Sequence, residues 1–182
     1  MGKQSQISDG QVSGLNLYSR DIDVDHIDAN KYLTFNLSDS LYGVGINLIK
    51  EIIEFGRITL VPMTPNYIRG VINLRGNVVP VIDLSARLGK EAKDITKRTC
   101  IIIVEMTMDN ESTDIGFVVD LVNEVIDISV DCIEPAPSFG ADIRVDFIAG
   151  MARLERDFTI LLDLENVLSI VELSELNEVV GL

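Results

Sequence analysis

Several residue types that carry protein chemistry are scarce in this chain. Its 182 residues include one histidine, two cysteines and no tryptophan, and the histidine, His26, lies in a polar N-terminal segment. Ser-His-Asp and Cys-His nucleophiles therefore lack a base in the strand-rich part of the chain. Cys100 and Cys132 form no CxxC pair, so neither a disulfide framework nor a zinc site is expected. These absences predict a protein that is not an enzyme and has no cofactor or metal.

Positive charge and long apolar runs are also scarce. The chain has 15 Lys and Arg against 29 Asp and Glu, a formal net charge of −14. Such a surface repels a phosphate backbone, and no basic cluster offsets it, so nucleic acid is excluded as a partner. No apolar run approaches the roughly 18 residues of a transmembrane helix, and the N-terminus lacks a signal peptide. We expect a cytoplasmic protein with no direct membrane insertion.

Short alternating segments separated by turn residues dominate the middle of the chain and predict a mainly β fold. The polar first residues, without sustained period, predict a mostly disordered leader. A charged connector, residues 90–97, separates two strand-rich lobes. The predicted divisions are a leader at 1–30, a domain at 31–172 with lobes at roughly 31–90 and 98–168, and a C-terminal helix or tail at 169–182.

Two short patterns stand out within the first lobe. Ile46, Ile49 and Ile52 recur at helical spacing, which predicts one or two turns of amphipathic helix or a tight bend. The clearest hairpin turns at residues 75–77, where Gly76 can adopt a positive φ. Before it, Pro65 is expected to open a helical turn that Gly70 closes.

The two lobes carry an internal repeat. Residues 41–53 lie over 114–126 at an offset of 73 positions (114 minus 41), and residues 67–84 lie over 147–164 at an offset of 80 (147 minus 67). The coinciding residues include Gly43/Gly116, Glu51/Glu124, Ile53/Ile126, Gly70/Gly150, Asp83/Asp163 and Leu84/Leu164. Because the markers keep their order, we predict two pseudo-symmetric small β-barrels of about five strands each.

The recurring aspartates, Asp83 and Asp163, allow two interpretations. Paired carboxylates could serve a small β-barrel hydrolase or ligand-binding protein, which is the alternative from another functional class. Each aspartate, however, ends a strand and precedes a helical turn, the position where Asp caps a helix N-terminus. The capping interpretation is the one we adopt.

The hairpin also carries the most specific motif. The stretch GVINLRGNVVPVIDL, residues 70–84, resembles the signature hairpin of the CheW family of chemotaxis coupling proteins. Residues 42–43, 116–120 and 135–137 agree with the family in order and spacing, so the resemblance covers residues 31 to about 172. It implies two five-stranded SH3-like barrels with short helices and a shared apolar seam. It also implies a scaffold that couples the cytoplasmic tip of methyl-accepting chemoreceptors to the regulatory domain of a CheA-like histidine kinase. The CheW-like domain of a CheV-type protein is the related alternative.

The resemblance further implies a receptor-binding groove. Its apolar positions correspond to Leu33, Ile46, Ile49 and Ile52, and an amphipathic receptor helix would need such a trough. Of these, Ile49 is expected to be the most exposed because it lies between Asn47 and Lys50. The alternative, that these side chains only fill the core, stays open.

Three charged residues complete the implied interface. Arg75 matches the family's arginine at the hairpin turn, and the repeat breaks there because Arg75-Gly76 becomes residues 155–156, Glu-Arg. This asymmetry favours a role in binding or lobe orientation, with a structural salt bridge across the lobes as the alternative. Glu51 and Arg69 correspond to polar surface positions near the partner faces.

Overall fold

The structure is a computed structural model that describes residues 30–108, 111–137, 144–155 and 157–168. The predicted leader, apart from Asn30, and the predicted C-terminal helix at 169–182 lie outside the described residues.

The described residues form eleven strands, two short α-helices and three 3-10 helices. The strands are β1 Lys31–Leu37, β2 Ser40–Gly45, β3 Ile49–Glu54, β4 Ile68–Leu74, β5 Asn77–Asp83, β6 Cys100–Met108, β7 Glu111–Val119, β8 Leu121–Asp127, β9 Ile133–Glu134, β10 Ile148–Leu154 and β11 Asp157–Leu162. The helices are α1 Leu84–Arg87 and α2 Leu164–Val167, and the 3-10 helices are Ile46–Leu48, Val130–Cys132 and Val145–Phe147.

The strands assemble into two sheets, which we call lobe 1 and lobe 2. Lobe 1 has the strand order β8-β1-β2-β11-β10-β9, and lobe 2 has the order β3-β6-β7-β5-β4. The predicted mainly β, two-lobed fold is confirmed. Lobe 1 has one strand more than predicted, the two-residue β9, which pairs with β10.

Each lobe takes strands from both halves of the sequence. The two orders correspond strand by strand. The strands β8, β1, β2, β11 and β10 of lobe 1 correspond to β3, β6, β7, β5 and β4 of lobe 2, and β9 has no counterpart. The contiguous ranges predicted for the lobes, 31–90 and 98–168, therefore do not coincide with the sheets. The reason is that β2 and β7 each pair in parallel with a strand from the other half, β11 and β5. Parallel neighbours cannot be joined by a tight hairpin, so the halves exchange strands.

The strand register agrees with the repeat. Val81 lies opposite Gly116 in lobe 2, and Leu161 lies opposite Gly43 in lobe 1, so equivalent residues form equivalent pairs. Close packing of neighbouring side chains favours glycine at both positions. A Cβ on Gly116 would approach Ile101 Cγ2 to 2.7 Å, and one on Gly43 would approach Leu161 Cδ2 to 2.9 Å.

The largest apolar cluster fills the seam between the lobes, and smaller clusters fill each lobe's interior. Strand β6 shows the division, because Ile101 and Ile103 belong to the interior of lobe 2 while Ile102 and Val104 belong to the seam. A strand buried on both faces reads as a continuous apolar run. This accounts for the unbroken Ile-Ile-Ile-Val segment after Cys100.

Two local predictions were wrong. Residues 46–53 form one 3-10 turn followed by strand β3, because the β-branched isoleucines favour an extended backbone. Gly70 does not close a helical turn but lies inside β4, with φ at 135°. A Cβ there would overlap the carbonyl oxygen of Thr59, which pairs with β4 in an antiparallel bridge through two Thr59–Val71 hydrogen bonds of 2.8 Å.

Candidate functional site: the Arg75 turn and the isoleucine strip

The turn between β4 and β5 has an unusual backbone. Leu74 and Asn77 form its closing pair, and the two residues between them both have positive φ, 52° for Arg75 and 91° for Gly76. Such a turn matches the twist of a hairpin, but a residue with a bulky side chain seldom adopts its first position. The Asn73 side chain accepts a 2.9 Å hydrogen bond from the Gly76 amide. The turn therefore presents Arg75 in a fixed position.

The guanidinium of Arg75 binds Glu51 through two parallel hydrogen bonds. Arg75 Nη1 donates to Glu51 Oε1, and Nη2 donates to Oε2 at 2.7 Å. The hydrogen bond from Arg75 lowers the pKa of Glu51, and Glu51 in turn raises the pKa of Arg75. Because β3 and β4 are the two edges of lobe 2, this ion pair bridges the edges of one sheet. It lies within one lobe, so the alternative of a salt bridge across the lobes was wrong.

At the equivalent of Arg75, lobe 1 has the same positive φ but the opposite charge. Glu155, the equivalent of Arg75, has φ at 49°, and Glu124 is the equivalent of Glu51. Both glutamates line a cleft of about 1040 Å³ whose wall also includes Phe158 and Asp157. The alignment of the two halves of the sequence predicted this difference in charge but did not predict the cleft.

The three isoleucines form a strip beside the seam. Ile49 lies opposite Val104 and Ile52 lies opposite Ile102, with a register shift between Ile49 and Glu51. Because directly paired residues share a sheet face, both isoleucines point to the seam side of β3. An unbroken strand would place them on opposite faces, so the bulge at this point is what aligns them.

The isoleucine strip is graded in exposure. Ile46 and Ile49 are half-buried and pack against the seam cluster, whereas Ile52 is 41% exposed. The expectation that Ile49 is the most exposed was wrong, because it rested on the polar neighbours Asn47 and Lys50, whereas the pairing of Ile49 with Val104 places its side chain against the seam cluster. Leu33 is 4% exposed inside the seam, between Val44 and Val125 on the neighbouring strands. Its side chain therefore belongs to the seam cluster and has almost no exposed surface for a direct contact.

Arg69 has a structural partner. Its Nε donates to Asp83 Oδ2 at 2.9 Å and its Nη2 lies 2.7 Å from the same oxygen. Asp83 is buried, and its other oxygen accepts a 3.0 Å hydrogen bond from the Ala86 amide at the start of α1. Arg69 therefore neutralises a buried carboxylate, which its expected surface position did not suggest.

The capping interpretation of the paired aspartates is confirmed. Asp163 accepts a 3.2 Å hydrogen bond from the Asn166 amide at the start of α2, as Asp83 does at α1. Each carboxylate thus serves its own helix. Among the described residues no group of three or more His, Cys, Asp or Glu side chains is placed to hold a metal ion. In the same part of the chain, no helix has the length and apolar character needed to span a membrane.

The sequence profile of the CheW-like domain matches residues 31–172, which include both lobes, the Arg75 turn and the isoleucine strip. The chain belongs to the CheW-like domain family. It is 31% identical over 149 residues to the chemotaxis protein CheW of Klebsiella aerogenes, covering 82% of this chain and 87% of that protein. It is also 34% identical over 140 residues to the chemotaxis protein CheV3 of Helicobacter pylori, covering 75% of this chain but 44% of that protein.

A solved structure supports the same assignment. The crystal structure of the scaffolding protein TtCheW from Thermoanaerobacter tengcongensis matches with a TM-score of 0.71 and 35% sequence identity. The match covers 79% of this chain and 90% of that one. The likeness therefore includes the arrangement of both lobes.

Proposed function

We propose that this chain is a non-catalytic cytoplasmic adaptor that couples methyl-accepting chemoreceptors to a CheA-like histidine kinase. The observation that carries the proposal is a family match over both lobes, with relatives named as chemotaxis and scaffolding proteins. A scaffold needs surfaces and no reaction centre. The sole histidine, His26, precedes the matched domain, and the paired aspartates are engaged as helix caps.

The proposed receptor contact is the isoleucine strip. A receptor tip is an amphipathic helix, and such a helix buries its apolar face in an apolar groove. Ile52 supplies the exposed surface, and Ile46 and Ile49 continue it toward the seam. The buried seam cluster behind them, which includes Leu33, packs against Ile46 and Ile49 and does not itself take part in the contact.

The proposed kinase contact is the Arg75 turn. Arg75 is 73% exposed even though it binds Glu51, and this bond uses two of its five N–H donors. The remaining donors can reach acceptors on a regulatory domain. Glu51 holds the guanidinium in one orientation, which reduces the entropy lost on binding.

The strip can be tested with a charge placed on its exposed member. Ile52→Glu should weaken binding to a receptor signalling fragment by at least about tenfold, since a carboxylate in an apolar contact loses its hydration. Val125→Glu is the matched control, because Val125 is the repeat equivalent of Ile52 in lobe 1 and is 50% exposed. Binding is measured by calorimetry with the receptor fragment and with kinase separately.

The two variants separate the possible results. The adaptor proposal expects wild-type chain to bind both partners, Ile52→Glu to lose receptor binding only, and Val125→Glu to keep it. Absence of binding to both partners by the wild-type chain would refute the adaptor function. Equal loss in both variants would show that general charge, and not the strip, controls the contact.

The match to CheV3 supports a second candidate, the CheW-like domain of a CheV-type protein. The same strip and turn would make the same contacts in that setting. The mass of the intact protein isolated from its native cell distinguishes the two, because a CheV-type protein carries an additional receiver domain.

A further inference from the structure

A guanidinium lies between two aromatic rings where the lobes meet. The Arg87 guanidinium carbon is 4.9 Å from the ring centroid of Tyr67 and 5.0 Å from that of Phe147. Arg87 Nε also donates a 2.7 Å hydrogen bond to the carbonyl oxygen of Val167. Both ring distances are within the range of cation–π attraction. We call these four residues the Arg87 cluster.

The Arg87 cluster joins the two lobes. Tyr67 and Arg87 flank β4 and β5 of lobe 2, whereas Phe147 and Val167 flank β10 and β11 of lobe 1. Arg87 therefore stacks on one ring of its own lobe and on one ring of the other. Its hydrogen bond reaches a carbonyl in α2, and the carbonyls in the last turn of a helix have no partner within that helix.

The repeat explains why this contact is asymmetric. At the offset of 80, Tyr67 is equivalent to Phe147 and Arg87 is equivalent to Val167. The cluster thus brings equivalent positions of the two halves to one point, which lies close to the local pseudo-twofold axis. A long side chain at such a point excludes its own symmetry mate from the same space. One half can supply the arginine only if the other supplies a smaller residue, as Val167 does.

The geometry of the Arg87 cluster is directional, unlike the rest of the seam. Apolar contacts such as those of Phe35 and Phe117 stabilise the association of the lobes but scarcely constrain their angle. A planar guanidinium held between two rings constrains their separation and tilt, and its Nε bond constrains rotation about the stack. A second guanidinium, that of Arg144, lies 4.9 Å from the Phe147 centroid and adds to the same stack.

We propose that Arg87 is the positioning residue that fixes the orientation of lobe 1 relative to lobe 2. Each lobe has its own strand ladder and interior cluster, so the fold of a lobe does not depend on the guanidinium. Removing it should leave both lobes folded and widen the range of angles between them. This inference concerns the free chain and does not depend on any partner.

The test is a distance measurement by double electron–electron resonance. Spin labels are attached at Thr107→Cys in lobe 2 and Ala149→Cys in lobe 1, both exposed positions, in the full chain carrying Cys100→Ala and Cys132→Ser. The labelled parent should give one narrow distance distribution. Arg87→Met, which keeps the apolar stem but removes the guanidinium, should give a broadened and shifted distribution with an unchanged far-UV circular dichroism spectrum.

Control variants decide between orientation and general stability. Arg98→Met removes an exposed guanidinium of the same size from the turn before β6 of lobe 2 and should leave the distribution narrow. A narrow, unshifted distribution in folded Arg87→Met would overturn the proposal, as would equal broadening in Arg98→Met. If Arg87→Met does not fold, Arg87→Lys is measured, because lysine keeps the charge but cannot stack as a planar group. A folded Lys variant with a broadened distribution supports the proposal. An unchanged distribution in it, or its failure to fold, refutes it.

Discussion

Replacing Arg69 by methionine tests whether this arginine has the structural role that its geometry indicates. The side chain of Asp83 is 6% exposed and that of Arg69 is 33% exposed. In Arg69→Met the Asp83 carboxylate keeps its hydrogen bond from the Ala86 amide but loses the positive charge that Arg69 Nη2 places 2.7 Å from Asp83 Oδ2. The buried Asp83 carboxylate then keeps the free-energy cost of desolvation but loses the electrostatic attraction to Arg69 that offsets this cost.

The size of the effect follows from these exposures. Breaking a fully buried ion pair costs about 3–5 kcal/mol. Because one-third of the Arg69 side chain is in contact with solvent, the attraction is partly screened, and we expect a loss of about 1–3 kcal/mol in the free energy of unfolding. For a chain of this size, a loss of about 2 kcal/mol lowers Tm by roughly 4–8 °C.

The measurement is urea unfolding followed by far-UV circular dichroism, with Asp83→Asn as the matched change. Asparagine keeps an oxygen that can accept the cap hydrogen bond but carries no charge. The double variant Arg69→Met/Asp83→Asn should therefore be more stable than Arg69→Met alone. A loss below about 0.5 kcal/mol in Arg69→Met, or a double variant no more stable than that single variant, would refute the buried-charge explanation.

Two further predictions concern lobe 2. Gly70→Ala should prevent stable folding because its Cβ would overlap the Thr59 carbonyl, whereas Gly76→Ala has open space around it and should cost about 1–2 kcal/mol from its positive φ alone. Thermal unfolding compares the two variants, and equal losses of stability would contradict the proposed overlap at Gly70. Arg75→Ala should raise the pKa of Glu51 in an NMR titration and reduce kinase activation more than stability. Because the folded-state pKa of Glu51 is lowered, the ion pair stabilises the wild type above the unfolded-state pKa, and this contribution is lost as the pH falls through the folded-state pKa. A Glu51 pKa unchanged by Arg75→Ala would contradict the assigned bond.

Local patterns predicted most of the strands because side-chain alternation is a local property. The hairpin at the Arg75 turn, the helix caps at Asp83 and Asp163, and the repeat all appear where the sequence placed them. The isoleucine bend was misread because residues three apart share a face both in a helix and across a bulge in a strand. Spacing alone cannot distinguish a helix from a bulged strand, and the pairing of β3 with β6 shows that the segment is a bulged strand.

Charged residues were harder to place than apolar ones. The partner of Arg69 is 14 positions away and that of Arg75 is 24 positions away, so neither pair appears as a local pattern. No local sequence pattern marks Arg87, because its partners Phe147 and Val167 come from the other half of the repeat. Arginines that look equally polar in the sequence therefore differ in burial and in partners in the structure.

The sequence by itself determined that this protein has two similar β lobes, a single histidine that lies before the matched domain, and the signature hairpin of the CheW family. Such features depend on composition, periodicity and order along the chain. Only the tertiary structure decided that the halves exchange strands, that Ile52 and not Ile49 is exposed, and that Arg87 links the lobes. These depend on which strands pair across the seam, because parallel pairing of β2 with β11 and of β5 with β7 joins segments that are distant in sequence.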